Sequence, residues 1–523
     1  MAVLEWTLAL LLGAVLLAAL ARRIGAPSPA LLALGGVAVA LLPNGPHISL
    51  DPGLALALFV APVLLDAAFD SSLRDLRANW FPLTSLILIA VSVTTGAVAL
   101  AARWLVPAMP WATAVTLGAL VAPPDAAAAT AVLKEVKLPH RLLVILEGES
   151  LLNDASALLI YRLAAGAALA RDATNLGVAS TLALVLLGSV AIGVLLAFVF
   201  GNIIGRFSDV PSSIIMQFIG AFGVWIIADR LHLSGVLAIV TFAVTLSRRP
   251  PIQMPAEVRV PSYAVWETAV FLLNALAFVM IGLQIRPILD RVDAAERFHM
   301  LAFAAAMTVT VMAVRAAWVM TYNRTLWAIN RVLGQRTPRA LTTPPLNRSL
   351  VVAWCGMRGL VTLAAALALP DGANGGAAFP YRDLIVLTAF SVVLSTLVLQ
   401  GLTLRPLVLA LGFEDDDPIE AEVRAGREHM LKAALASLGE VDTKAGVALY
   451  HEYEQLLERA DSSAVLSPEV REAEEALRAR AWAASRERLG QLRWAGTIGD
   501  PAFQLLEAEL DRFELDTGIR TRW

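Results

Sequence analysis

The chain has 523 residues, of which 58% are hydrophobic and 16% charged. Soluble domains carry about 25% charged residues, so the composition excludes a soluble globular protein and leaves a polytopic membrane protein. The net charge of −3 points to no partner, because acidic and basic residues are segregated by region, and the single cysteine, Cys355, excludes an internal disulfide.

Residues 7–20 are almost wholly apolar, with Glu5 before them and Arg22 and Arg23 after them. That polarity is the reverse of a secretory signal and predicts a first helix with its N-terminus outside. Further runs follow that are long enough to cross about 30 Å, or are broken by Gly and Pro as in transporters. In order they cover 3–20, 27–43, 53–70, 80–104, 111–133, 141–168, 176–204, 212–229, 232–247, 263–285, 298–321, 349–369 and 383–411. This predicts an all-α protein with about thirteen transmembrane helices. Counting charges loop by loop supports the orientation: the odd-numbered loops hold roughly sixteen Lys and Arg, among them Arg74, Arg141, Arg248 and Arg348, against roughly seven on the other side.

Three runs carry groups that a bilayer disfavours. Asp66, in Leu64-Leu65-Asp66-Ala67-Ala68-Phe69, is an intramembrane carboxylate, whereas Asp70 lies close to Arg74 and belongs to the interface. Ala122-Pro123-Pro124-Asp125 interrupts the run 111–133. Adjacent prolines remove two backbone donors, so the helix is expected to break there and expose carbonyls that can line an ion site; the alternative is a simple proline kink. Glu147 to Asp154 read E-G-E-S-L-L-N-D. An acid at the centre of a membrane helix costs about 2.5–3.5 kcal/mol on the insertion scale, so the default reading is an ion or proton site. For Glu147 and Glu149 the alternative is a solvated helix end. On a helix, Glu149 and Asn153 share one face and Ser150 and Asp154 the neighbouring one.

Later in the chain, Glu267, Asn274 and Gln284 read as helix–helix hydrogen bonds rather than ligands. Trp354-Cys355-Gly356-Met357-Arg358-Gly359 breaks the run 349–369. An early and a late broken run together are the trace of an inverted-repeat transporter with two broken, crossing helices. A buried Arg358 needs an acid, and Glu149 is the expected partner; such a pair is architectural, because arginine keeps its proton.

After Gly412 the composition turns charged. Residues 1–412 therefore form the membrane domain and 413–523 a small helical cytoplasmic domain, with regulation as one reading of it. Helical spacing recurs at Met430, Ala433, Ala434 and Leu438, and again at Leu449, Tyr453, Leu456 and Leu457, while Ser467-Pro468-Glu469 reads as a helix start. No P-loop lysine motif, Cys/His metal spacing or Gly-x-Gly-x-x-Gly after a strand is present, and no nucleophile lies beside a base. The expectation is a non-enzyme without a cofactor or a nucleic-acid partner.

These motifs resemble the monovalent cation:proton antiporter-1 family, the NhaP-type and eukaryotic sodium/proton exchangers. The resemblance spans the membrane part: the Asp66 segment, Pro124-Asp125, the 147–154 string, Ser234-Gly235-Val236-Leu237-Ala238, Trp266-Glu267 to Gly282, Met357-Arg358-Gly359-Leu360-Val361, and Gln400-Gly401-Leu402-Thr403. The tail is similar to that of bacterial members at 486–489 and 496–500. The resemblance implies a cell-membrane homodimer, in bacteria in the inner membrane, that exchanges Na+, with K+ or Li+ as alternatives, for protons by elevator-like alternating access. It implies Asp154 as the carboxylate shared by cation and proton, with Asp66 and Ser150 lining the same monovalent-cation site. Asp125 and the Pro124 carbonyl then lie at the break, and Glu149 and Arg358 form the pair that orients Asn153. An Asn before the Asp goes with electroneutral one-for-one exchange in that family. Two departures stand out: Pro124-Asp125-Ala126 where many relatives have Thr-Asp-Pro, and Asp66 where Glu is common. Both bear on cavity size and coordination, and leave Na+ versus K+ open. A cation channel using the same carboxylates, or an ion-binding sensor signalling through the tail, are the alternatives.

Overall fold

The computed structural model describes residues 2–43, 51–125, 129, 138–169, 178–204, 206–207, 209–248, 256–293, 295–333, 345–371, 378–413 and 418–438, with scattered residues beyond. The described residues are helical, with no strand among them. Two compact units emerge, Met1–Asp416 and Asp417–Trp523.

The first unit opens with α1 (Ala2–Ile24) and α2 (Ser28–Ala40). Next come α3 (Pro52–Asp70), the short α4 (Leu73–Ala78) and α5 (Trp80–Leu105). The broken α6 (Trp111–Val121) leads to the long α7 (His140–Leu169). After them lie α8 (Val178–Ile204), α9 (Val210–Arg230), α10 (Gly235–Ser247), α11 (Ala256–Leu283) and α12 (Ile285–Asp290). The unit closes with α13 (Arg297–Leu333), α14 (Leu346–Trp354), α15 (Leu360–Leu367) and α16 (Arg382–Leu411). Among the described residues eight helices are long and apolar enough to cross a membrane, and α2, α6 and α10 are shorter apolar helices. In the second unit α17 (Pro418–Leu438) carries the predicted helical spacing. Residues 126–133 of the run 111–133, apart from Ala129, lie outside the described residues, as do 467–469 and 496–500.

The burial pattern is that of helices in lipid. On α1 the large side chains Leu8, Leu12, Leu16 and Leu20 face outward while Ala14, Ala18 and Ala21 are buried. Small residues allow close backbone approach where no hydrophobic force joins helices. The extreme case is the crossing of α2 with α11. A Cβ on Gly36 would run into the Val279 carbonyl, and one on Gly282 into the Ala33 carbonyl. Where chains enter helices, short polar side chains satisfy the first N–H groups. The Asp51 carboxylate accepts from the Leu54 N–H at 2.7 Å, and Asp209 from Ser212 at 2.9 Å.

Three irregularities position the site. α3 contains a π-turn at Leu56–Val60 just ahead of Asp66, and α5 contains one at Ser85–Ala90. α6 stops at Val121 before Pro123-Pro124, and residues 355–359 separate α14 from α15. The two interruptions meet: the Asp125 N–H donates to the Met357 carbonyl at 2.6 Å, and a Cβ on Gly359 would overlap the Asp125 carboxylate.

Candidate functional site

Where a helix stops inside a protein, its last carbonyls lose their partners and carry partial negative charge. Each of the two interruptions puts an arginine on those carbonyls. At the end of α6, Arg358 donates through Nε to the Val121 carbonyl at 3.0 Å and through a terminal nitrogen to the Ala122 carbonyl at 3.3 Å. It also bonds the Gly356 carbonyl, and its own N–H donates to Thr396 Oγ1 on α16 at 3.0 Å. At the end of α14, Arg315 on α13 donates to the Val352 carbonyl at 3.1 Å and the Cys355 carbonyl at 3.2 Å. In the opposite sense, the Asp125 carboxylate rests against Gly359, the residue that opens α15. A negative charge suits that end of a helix.

Glu149 is 2% exposed and its partner is Arg315, itself 4% exposed. The pair is bidentate, with guanidinium nitrogens 2.6 Å and 2.9 Å from the two carboxylate oxygens. This corrects the expected Glu149–Arg358 pair. Arg358 is 1% exposed, as anticipated, but its described side-chain hydrogen bonds go to carbonyls at the end of α6 and at Gly356, and Glu149 acts on it only through its charge. Arg315 was overlooked in the sequence because it sits inside the run 298–321. As the one Arg or Lys in that run, it carries the signal that could have found it.

One turn beyond Glu149, Asn153 is fully buried and its amide donates to the Pro124 carbonyl at 2.9 Å. That bond orients the amide and leaves Oδ1 as a buried acceptor without a partner in the described structure. Ser156 Oγ donates to the Asn153 carbonyl and to the Ile87 carbonyl in the π-turn of α5, both at 2.8 Å. So α7 is pinned to α5, to the first break and, through Arg315, to the second.

Ser150 and Asp154 lie on the neighbouring stripe and are half-buried. Asp154 is close enough to Asp125 for the two charges to repel. Asp66 is half-buried on α3, which packs against α7 and α10. The geometry thus brings Asp154, Asp125, Asn153 and the Pro124 carbonyl together at the crossing, while Ser150 is one residue along α7 from Glu149 and Asp66 is on an adjoining helix. Such a cluster has excess negative charge beside oriented oxygen acceptors, which suits a hard monovalent cation or a proton. Of the weaker polar marks, Gln284, between α11 and α12, donates to the Met280 carbonyl of α11 at 3.4 Å, and Glu267 is exposed.

Comparison with known proteins agrees with this geometry. The family model described as "Sodium/hydrogen exchanger, transmembrane" matches residues 8–410. An uncharacterized Na(+)/H(+) exchanger of Mycobacterium tuberculosis is 30% identical over 95% of this chain and 93% of its own. The sodium, potassium, lithium and rubidium/H(+) antiporter of Bacillus subtilis is 28% identical over 94% of this chain and 74% of its own. The fold matches the sodium proton antiporter MjNhaP1 from Methanocaldococcus jannaschii with a TM-score of 0.60 at 20% identity, covering 79% of this chain and 99% of that one.

Proposed function

The chain belongs to the sodium/hydrogen exchanger family, and from that premise we propose that it exchanges a monovalent cation for a proton, the two competing for Asp154. The observation that carries this reading is the half-buried Asp154 beside the crossing of two broken helices, next to an Asn153 whose amide is fixed and whose carbonyl oxygen is unclaimed.

The physics of exchange needs one group with two mutually exclusive charge partners. A carboxylate held away from bulk water needs a positive partner, either a bound cation or a proton. Asp154 therefore holds a cation or takes a proton. If the loaded site can change sides and the empty, charged site cannot, opposite fluxes are coupled. Asp66, Ser150 and the Pro124 carbonyl are proposed as the remaining oxygen ligands, and Asn153, Glu149 and Arg358 as supports. Both arginines at the crossing retain their protons and serve as fixed counter-charge. In this family an Asn before the Asp goes with one-for-one, electroneutral exchange, and Asn153 before Asp154 favours that stoichiometry here. The wider reading is a multi-pass homodimer in the cell membrane, N-terminus outside and tail cytoplasmic, working by elevator-like movement. The broad ion list in the name of the Bacillus relative makes K+ and Li+ candidates beside Na+.

The test is proton flux in sealed proteoliposomes with a preset pH gradient, adding Na+, K+ and Li+ in turn. Cation-triggered collapse of the gradient, insensitive to membrane potential and absent in Asp154→Asn, is the expected result. Potential-driven cation current without proton movement would instead establish a channel. An Asp154→Asn protein exchanging at the wild-type rate would remove Asp154 from the mechanism.

A further inference from the structure

Away from the ion site, a partly open cavity of about 90 Å³ lies between α5, α7, α13 and α14. Its polar lining is made largely of donors: Arg141 near the start of α7, Arg348 near the start of α14, and Trp318 and Tyr322 on α13. Among the described lining residues there is no carboxylate. Arg141 donates through Nε to Asn79 Oδ1 at 2.9 Å. The Trp318 indole N–H is buried and has no acceptor in the described structure, an arrangement that costs about 1–3 kcal/mol if nothing satisfies it. The rest of the wall is apolar, including Leu86, Ile145 and Val352. Leu346 and Leu350 on α14 and Trp80 on α5 are exposed near its lining residues in sequence.

We propose that this cavity binds the phosphate headgroup of an anionic phospholipid, held between Arg141 and Arg348. Two guanidiniums and a buried N–H call for a multivalent oxyanion. The apolar wall and the outward leucines call for one that carries a hydrocarbon chain, since a free hydrated anion gains nothing from them. Both arginines stand near helix starts at the ends of apolar runs, the depth at which headgroups lie. The location also gives the lipid leverage on the ion site. Arg141 is eight residues before Glu149, Trp318 is three residues after Arg315, and the Val352 carbonyl accepts from Arg315. A headgroup in the cavity therefore braces the three helices that carry the Glu149–Arg315 bridge. Binding itself does not depend on the exchange reading.

The experiment measures the melting temperature of the purified full chain in neutral detergent against phosphatidylglycerol, phosphatidylcholine and inorganic phosphate. Phosphatidylglycerol is expected to raise it saturably and the other two to leave it unchanged. Arg141→Gln with Arg348→Gln should weaken that response about tenfold, the size expected for losing charge-assisted hydrogen bonds. Arg22→Gln with Arg23→Gln, which removes two exposed arginines from the end of α1, should not. If the first pair fails to fold, Trp318→Phe, which keeps an aromatic side chain and removes the N–H, should give a smaller loss in the same direction. An equal response to phosphatidylcholine, or equal loss in the α1 variant, overturns the site. An equal response to phosphate alone overturns the lipid and leaves a free-anion site.

Discussion

Glu149 and Arg315 show how a single buried pair can hold three helices. Removing one partner strands the other charge away from water. Arg315→Gln should therefore destabilise the protein by about 3–5 kcal/mol, and the double change with Glu149→Gln by less than the sum of the two single changes. Arg315→Lys keeps the charge but loses the fork that spans Glu149 and the α14 carbonyls, and should fall between. Melting of the purified variants, the two single changes, the double and Arg315→Lys, reads all four; an unaltered melting point in Arg315→Gln would show that the bridge contributes nothing. Outside the membrane, Asp75 on α4 offers a pH test. Burial alone raises its carboxyl, but hydrogen bonds from Ser72 and His140 and the Arg74 charge outweigh it and hold it below the usual carboxylate range. The folded state thus favours the ionised form, so the contribution is complete above the unfolded value of about 3.9 and is lost as pH falls through the lowered one. Asp75→Asn should melt earlier than wild type at neutral pH, with the gap closing below about pH 4. A gap that is constant with pH would separate Asp75 from this effect. At this scale the sequence showed Glu149, Asn153, Asp154 and Arg358 because polar groups stand out in apolar runs. It misled on the pairing, because a broken helix end can neutralise an arginine as an acid does, and residue spacing does not reveal that.

At the scale of elements, the two breaks were legible because proline and glycine announce them: Pro123-Pro124 in one, Gly356 and Gly359 in the other. The π-turns at Leu56–Val60 and Ser85–Ala90 were not, since no breaker residue marks them and tertiary packing decides where a helix widens. The closeness of α2 and α11 was also hidden. A run of Ala and Gly is as compatible with lipid as with a neighbour, and only the fold shows Gly36 against Gly282. Gly36→Val should force the helices apart against backbone atoms that cannot yield, at about 1–3 kcal/mol or more. The same change at Gly13, which has open space around it, should be near neutral. Comparing the two melting points isolates the crossing, and equal effects would argue against it.

For the whole molecule, the described residues of the apolar runs lie mostly in helices, apart from the breaks at 122–125 and 355–359, because roughly 30 Å of hydrocarbon demands satisfied backbone along its full depth. The tail was legible as a change in composition with helical spacing, and the described structure divides into Met1–Asp416 and Asp417–Trp523. Every residue of the proposed ion site belongs to Met1–Asp416. A chain ending at Asp416 should accordingly retain cation-triggered proton flux in proteoliposomes, with any change confined to its pH dependence. Complete loss of flux from a well-folded truncated protein would make the tail part of the transport unit.

Cys355 gives the molecule a built-in clock. It is the only thiol in the chain, it is 3% exposed, and its carbonyl is tied down by Arg315. A thiol reagent can reach it only when the second break loosens. The rate at which the unmodified protein is labelled therefore times the opening of that crossing, and any ion that slows the labelling reports its own arrival.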